Sequence, residues 1–197
     1  VDENGSRHPI QRTEVEGEAK AIFWVEDVPA KGYKVFRVEK SVASGPTMRV
    51  TTSSMENDFF LLTLDEHGRL SRIYDKIHQR EVLAPGAVGN ALLAFEDKPI
   101  NHDAWDIDIF YQDKSWEITD LREAKVLENG PEKAVVGLRW QFMDSTIDQK
   151  IILYQRIPRI DFETEVDWHE HQVLLKVAFP VNVYASKATY DIQFGNV

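Results

Sequence analysis

Apolar and polar residues alternate with a period of two through much of the second half of the chain. In residues 132–142, EKAVVGLRWQF, Ala134, Val136, Leu138, Trp140 and Phe142 fall on one face and Lys133, Arg139 and Gln141 on the other. That is the pattern of a strand with one side in a core and the other toward water. Residues 159–169, RIDFETEVDWH, divide in the same way, with Ile160, Phe162, Thr164, Val166 and Trp168 against Asp161, Glu163, Glu165, Asp167 and His169. Residues 145–155, STIDQKIILYQ, and 173–183, VLLKVAFPVNV, are more apolar on both faces, which predicts strands nearer the middle of a large sandwich. No segment of a dozen residues carries a convincing helical period.

Upstream, residues 59–86, FFLLTLDEHGRLSRIYDKIHQREVLAPG, read as a meander. Strands end at Leu64, Tyr74 and Leu83, turns occupy 65–68 and 76–79, and Pro85 with Gly86 closes the unit. Residues 19–40 read as a separate hairpin turning at VPAKGY, and the polar stretch SVASGPTMRVTTSS that follows reads as a linker. The expected division is a small partial β-domain over 1–40 and a β-sandwich over 41–197. The closing run ATYDIQFGNV is strand-like, and two or three N-terminal strands are too few to stand alone. The expectation is a fragment of a longer polypeptide.

Composition narrows the chemistry. The 197 residues are 43% hydrophobic, enough for a core, and 33 acidic against 23 basic residues give a net charge of -10, which repels phosphate backbones and anionic lipid. Nucleic acid and membranes are therefore not expected partners. No apolar run approaches the roughly 20 residues that span a bilayer, and no signal-peptide pattern opens the chain, so cytoplasm is the default location. The absence of cysteine removes disulfides, thiolate ligands and thiol nucleophiles. No glycine-rich phosphate loop, GxSxG elbow or HExxH occurs, and His8, His67, His78 and His102 read as scattered turn or surface residues.

Two segments remain as candidate sites. The first, 95–114, FEDKPINHDAWDIDIFYQDK, does not read as one regular element, and loops this long inside a compact domain are usually functional. Aromatics beside carboxylates suit sugars, the ring packing on a pyranose C–H face while carboxylates accept from its hydroxyls. The alternative is that Trp105 plugs a gap between domains while the aspartates are solvated. An extended backbone would set Asp106 and Asp108 on one face as a carboxylate pair, although nothing separates them into an acid and a base. The second, DWHEHQ, alternates Asp167, His169 and His171 onto one strand face, a spacing that can converge on zinc, while continuing an acidic row that argues for a solvated surface. His169 or Glu170 could otherwise act as acid or base.

These residues resemble a known family. ENDFFLLTLDEHGRLSRIYDKIHQREVLAPG, GNALLAFEDKPINHDAWDIDIFY, VDWHEHQVLLKVAFPVNV and ATYDIQFGNV are similar, in that order, to the C-terminal β-region of glycoside hydrolase family 38 α-mannosidases. VEDVPAKGYKVFRV resembles the small β-domain that precedes it. The resemblance implies an all-β fold, a large antiparallel β-super-sandwich like that of galactose mutarotase. It also implies that zinc, the nucleophile and the acid/base belong to an N-terminal catalytic domain that hydrolyses α-mannosides with retention. No catalytic residue and no cofactor are then expected in these residues, and the expected partners are that catalytic domain, an α-mannoside oligosaccharide and, in the case of self-association, a second copy. Trp105 and Asp106, supported by His102, Asp103 and Asp108, are the residues expected at the border of the sugar cleft. An autonomous carbohydrate-binding module and a mutarotase-type epimerase are the alternatives.

Overall fold

The computed structural model describes residues 1–15, 17–39, 48–103 and 105–197. Strands β1 (Gln11–Val15) and β2 (Glu18–Ile22) form a hairpin. Strands β3 (Arg49–Val50), β4 (Ser54–Glu56), β5 (Phe60–Leu64), β6 (Leu70–Asp75) and β7 (Arg80–Glu81) form an antiparallel meander in sequence order. Strands β8 (Ala91–Glu96) and β9 (Ser115–Glu117) belong to a three-stranded sheet. Strands β10 (Leu121–Asn129), β11 (Lys133–Phe142), β12 (Ser145–Tyr154) and β13 (Ile160–Asp167) make a four-stranded sheet in that order. Strand β14 (Val173–Ala178) pairs with the free side of β8, and β15 (Asp191–Ile192) pairs with β16 (Gly195–Asn196). Among the described residues there is no α-helix, and one 3-10 segment, Ile109–Asp113, occurs.

The fold is a β-sandwich because the alternating rows have a single place to go. Ala134, Val136, Leu138, Trp140 and Phe142 are all buried, as are Ile147, Ile151 and Leu153 on the neighbouring strand. They meet Met55, Leu62, Leu64, Leu70 and Ile73 of the meander and Leu92 and Ala94 of β8 in one continuous core, where non-directional burial of apolar area supplies the drive. The two layers also meet in a fully buried side-chain amide contact. The Asn90 amide donates to Gln149 Oε1 at 2.7 Å, both side chains being buried, and Gln149 Nε2 donates in turn to Thr164 Oγ1 at 3.0 Å.

Three expectations need correction. The hairpin read over 19–40 lies earlier, over β1 and β2, turning at Gly17, whose φ of 76° suits the residue without a Cβ. Residues 29–32 do turn, Gly32 N donating to the Pro29 carbonyl, but the chain after the turn finds its partner at the N-terminus. An isolated bridge joins Asp2 to Phe36, and Arg37 N donates to the Val1 carbonyl at 2.8 Å. The boundary expected near residue 40 lies outside the described residues.

The second correction concerns residues 173–183, expected near the middle of a sandwich. Pro180 has no N–H to give a ladder, so β14 stops at Ala178 and occupies an edge of its sheet, with Val177 52% exposed. The chain then crosses to the meander, Ala84 N donating to the Pro180 carbonyl and Asn182 N to the Val82 carbonyl. The third concerns 188–197, which is a pair of two-residue strands about a turn where Phe194 has a φ of 62° rather than one strand.

The N-terminal hairpin is clipped to the four-stranded sheet. Gln11 Nε2 donates to the Lys133 carbonyl and to Glu128, its Oε1 accepts from the amides of Glu132 and Lys133, and Thr13 donates to Glu128. Beside this clip Glu132 is buried, with Arg156 3.8 Å from Oε2 and no hydrogen bond to Oε1 among the described residues. Burial pushes its carboxyl up against the opposing pull of Arg156. The folded state thus favours the protonated form, and the stability this contributes is present below the ordinary value of 4.5 and lost as pH rises through the raised folded value. Glu132→Gln is accordingly expected to be more stable than the unmodified chain at neutral pH, with urea midpoints converging as pH falls toward 4.5. A midpoint difference that does not change with pH would contradict the assignment.

Candidate functional site: the loop between β8 and β9

Strands β8 and β9 are hydrogen-bonded neighbours, with Phe95 opposite Ser115, so residues 97–114 leave the sheet and return to the adjacent position. The base of this excursion is fastened on both sides. Glu96 N donates to the Lys114 carbonyl at 3.0 Å, Asp97 N donates to the Gln172 carbonyl at 2.8 Å, and the Glu96 carboxylate receives Lys114 and Lys98 at 2.9 and 3.0 Å. Those two ammonium groups, Lys114 first, hold the Glu96 carboxyl below its ordinary value.

Within the loop, backbone groups are met locally. Trp105 N and Asp106 N both donate to the His102 carbonyl, at 2.7 and 3.0 Å, around a left-handed His102 with a φ of 58°. Asp108 Oδ2 accepts from Ile100 N at 2.7 Å, and its carbonyl accepts from Tyr111 N at 3.0 Å as the 3-10 segment begins. Tyr111 is the side chain that fixes the loop to the sheet. Its ring meets Phe95 edge to face at 5.2 Å, and its hydroxyl accepts from Lys176 Nζ at 2.9 Å, which also lies over both rings. Lys176 lowers the Tyr111 hydroxyl from its ordinary value by that hydrogen bond.

The residues singled out in the sequence take different parts here. Trp105 is 86% exposed and stacks loosely on His102 at 6.0 Å, so it presents its face to solvent and anchors nothing. Asp103 and Asp106 are exposed. Asp108, in extended conformation, accepts from Ile100 N through Oδ2, so that oxygen is engaged within the loop. Ile100, Ile107, Ile109 and Phe110 are exposed along with Trp105, giving one loop five large apolar side chains set among aspartates. Exposed apolar residues concentrated in this way mark contact surfaces. Sequence reasoning missed Lys176 as the partner of Tyr111; its one signal is a lone cation in the run VLLKVAF.

The DWHEHQ segment is a cap rather than a strand face. β13 ends at Asp167, so the expected alternation of Asp167, His169 and His171 stops there. His169 N donates to Ser145 Oγ, Glu170 Oε1 accepts from Asp144 N and Ser145 Oγ, and His169 Nε2 lies 3.1 Å from Asp167. Together they close the turn between β11 and β12. Among the described residues no group of three His, Cys, Asp or Glu side chains is placed to hold a metal ion. No helix is long and apolar enough to cross a membrane among them.

Comparison with known proteins agrees with an all-β sandwich. Residues 55–197 match the family described as the glycosyl hydrolases family 38 C-terminal domain. Alpha-mannosidase G of Dictyostelium discoideum is 34% identical over 172 residues, 84% of this chain and 15% of that protein. Alpha-mannosidase 2C1 of Homo sapiens is 36% identical over 148 residues, 73% of this chain and 14% of that protein. An alpha-mannosidase of Saccharomyces cerevisiae is 26% identical over 114 residues, 54% of this chain. The chain thus spans about one seventh of the length of these first two relatives. It belongs to glycosyl hydrolase family 38, and residues 55–197 are a C-terminal domain of that family.

Proposed function

We propose that this chain is the non-catalytic β-sandwich portion of an α-mannosidase, and that the loop over 97–113 borders the sugar cleft of a catalytic domain elsewhere in the same polypeptide. The observation that carries the reading is the loop itself, five exposed apolar side chains on a segment fastened at its base by Glu96, Asp97 and Tyr111. A loop held that firmly presents its surface without ordering cost at the moment of contact. The relatives are α-mannosidases matched over a small part of their length, which supports α-mannoside hydrolysis as the activity of the parent, and we take it to act on terminal residues with retention. Zinc and the reacting carboxylates we assign to that catalytic domain, and no step of the hydrolysis to the residues described here.

In this reading Trp105 offers its ring to a pyranose face, Asp106 and Asp103 accept from hydroxyls, and His102 and Asp108 hold the turn that presents them. The Trp105→Ala variant of the full-length enzyme is the test. Loss of one exposed aromatic contact is expected to raise KM for an α-mannoside about three- to tenfold, from roughly 0.5 to 1.5 kcal/mol of aromatic interaction, with no change in thermal stability. Unaltered KM, kcat and stability together would overturn the assignment.

A further inference from the structure

The four-stranded sheet has an outer face as well as the inner face that builds the core. At one end, where Gln11 and Thr13 bond to Glu128 and Lys133, the outward residues Val135 and Ile152 are buried. Beyond them the face opens into a trough of about 460 Å³, within the range of small-ligand sites. Gly137 makes the depth. It lies on β11 opposite Lys125 of β10 and Lys150 of β12, and carries no side chain where its neighbours carry long ones. The Leu127 side chain leans across it, so that a Cβ on residue 137 would sit 2.7 Å from Leu127 Cδ1, and this gives the floor a small apolar surface.

The walls are charged, and each of their cations is paired with a carboxylate. Arg139 donates twice to Asp148, at 2.7 and 3.0 Å, Lys125 reaches Glu123 at 2.9 Å, and Lys150 lies 3.4 Å from Glu163. An anion entering the trough meets carboxylates at every cation, and three of the four lining carboxylates already hold a cation, while Glu165 remains as an acceptor for a donor group. A neutral ligand whose groups both donate and accept meets no such opposition, and hydroxyl groups are of that kind. The pairs are exposed, so exchanging part of their hydrogen bonding for hydroxyls costs little. From β10 to β13 the trough crosses three strand spacings, about 14 Å, which is longer than one sugar ring.

From this geometry we infer that the outer face of β10 to β13 is a second glycan site, separate from the loop over 97–113, that holds a neutral oligosaccharide. That the sugar is mannose rests on the α-mannosidase reading above. The test uses the full-length enzyme in affinity electrophoresis through α-mannan, with the cleft saturated by a monosaccharide competitive inhibitor. Retardation by mannan is expected to persist under saturation. It is expected to weaken about fivefold in an Arg139→Ala, Asp148→Ala double variant, the scale of one or two lost hydrogen bonds, and thermal unfolding of the variant shows that the fold is kept. Equal retardation of both proteins, or its disappearance once the cleft is filled, overturns the site. Retardation by a neutral glucan with the same dependence on Arg139 and Asp148 keeps the site and rejects mannose. Because the measurement is of binding, its outcome is independent of whether Trp105→Ala changes KM.

Discussion

Trp140→Ala is expected to destabilise the domain by about 4 kcal/mol, the scale of removing a fully buried large aromatic. Trp140 is 1% exposed at the centre of the inner row of β11, and its indole N–H donates to the His67 carbonyl at 2.7 Å. The truncation opens a cavity between the sheets and also leaves that carbonyl without its donor, two losses of different kind. Trp140→Phe separates them. It keeps a ring in the core and removes the N–H, and should cost about half as much. Urea unfolding with an unchanged dependence on denaturant gives both values. A loss near 1 kcal/mol for the alanine variant would mean that neighbouring side chains collapse into the gap.

Gly68→Ala should be nearly as damaging, at about 3 kcal/mol, although it adds one methyl group to a turn. Gly68 has a φ of 77°, and a Cβ there would lie 2.8 Å from Trp140 Cζ2 and 3.2 Å from Leu121 Cδ1. A left-handed alanine costs about 1 kcal/mol, and crowding a packed ring adds roughly 1 to 3. The turn has no slack to absorb the shift. Asp65 accepts from the amides of His67 and Arg69 and from Arg69 Nε, and the Arg69 guanidinium also reaches Glu117 on β9. If the ring is the obstacle, Gly68→Ala should cost about 1 kcal/mol in a Trp140→Phe background, the strain alone. Equal costs in the two backgrounds would place the whole effect in the backbone.

The parts of the fold that were legible are those where period two survives intact. The row Ala134 to Phe142 is buried as its alternation predicts, and β12 pairs with it over its full length in regular register. β10, beside it, escaped notice because register shifts between Leu121 and Glu123 and between Val126 and Glu128 break the alternation twice. The N-terminal segment was misread because its partner is distant. Phe36 pairs with Asp2, and no local pattern encodes that choice. In the loop, length and aromatic content single out the segment, but the roles of Asp108, Tyr111 and Lys176 depend on how the loop folds back on the sheet. Asp108, a supporting residue in the sequence reading, accepts a hydrogen bond from Ile100 N within the loop.

The amide pair of Asn90 and Gln149 has a consequence for how this sequence can drift. Two aliphatic layers in contact would lose little by sliding one strand spacing past each other, since apolar contact has no direction. The Asn90 amide reaches Gln149 Oε1 in one alignment alone, and a slip would leave both of these groups, like Asn90 Oδ1 among the described residues, buried without a partner. Asn90 also occupies a left-handed position, φ 54°, that few side chains other than asparagine take easily. The surrounding leucines, isoleucines and valines are then free to exchange for one another at modest cost, because the alignment of the layers does not depend on their shapes.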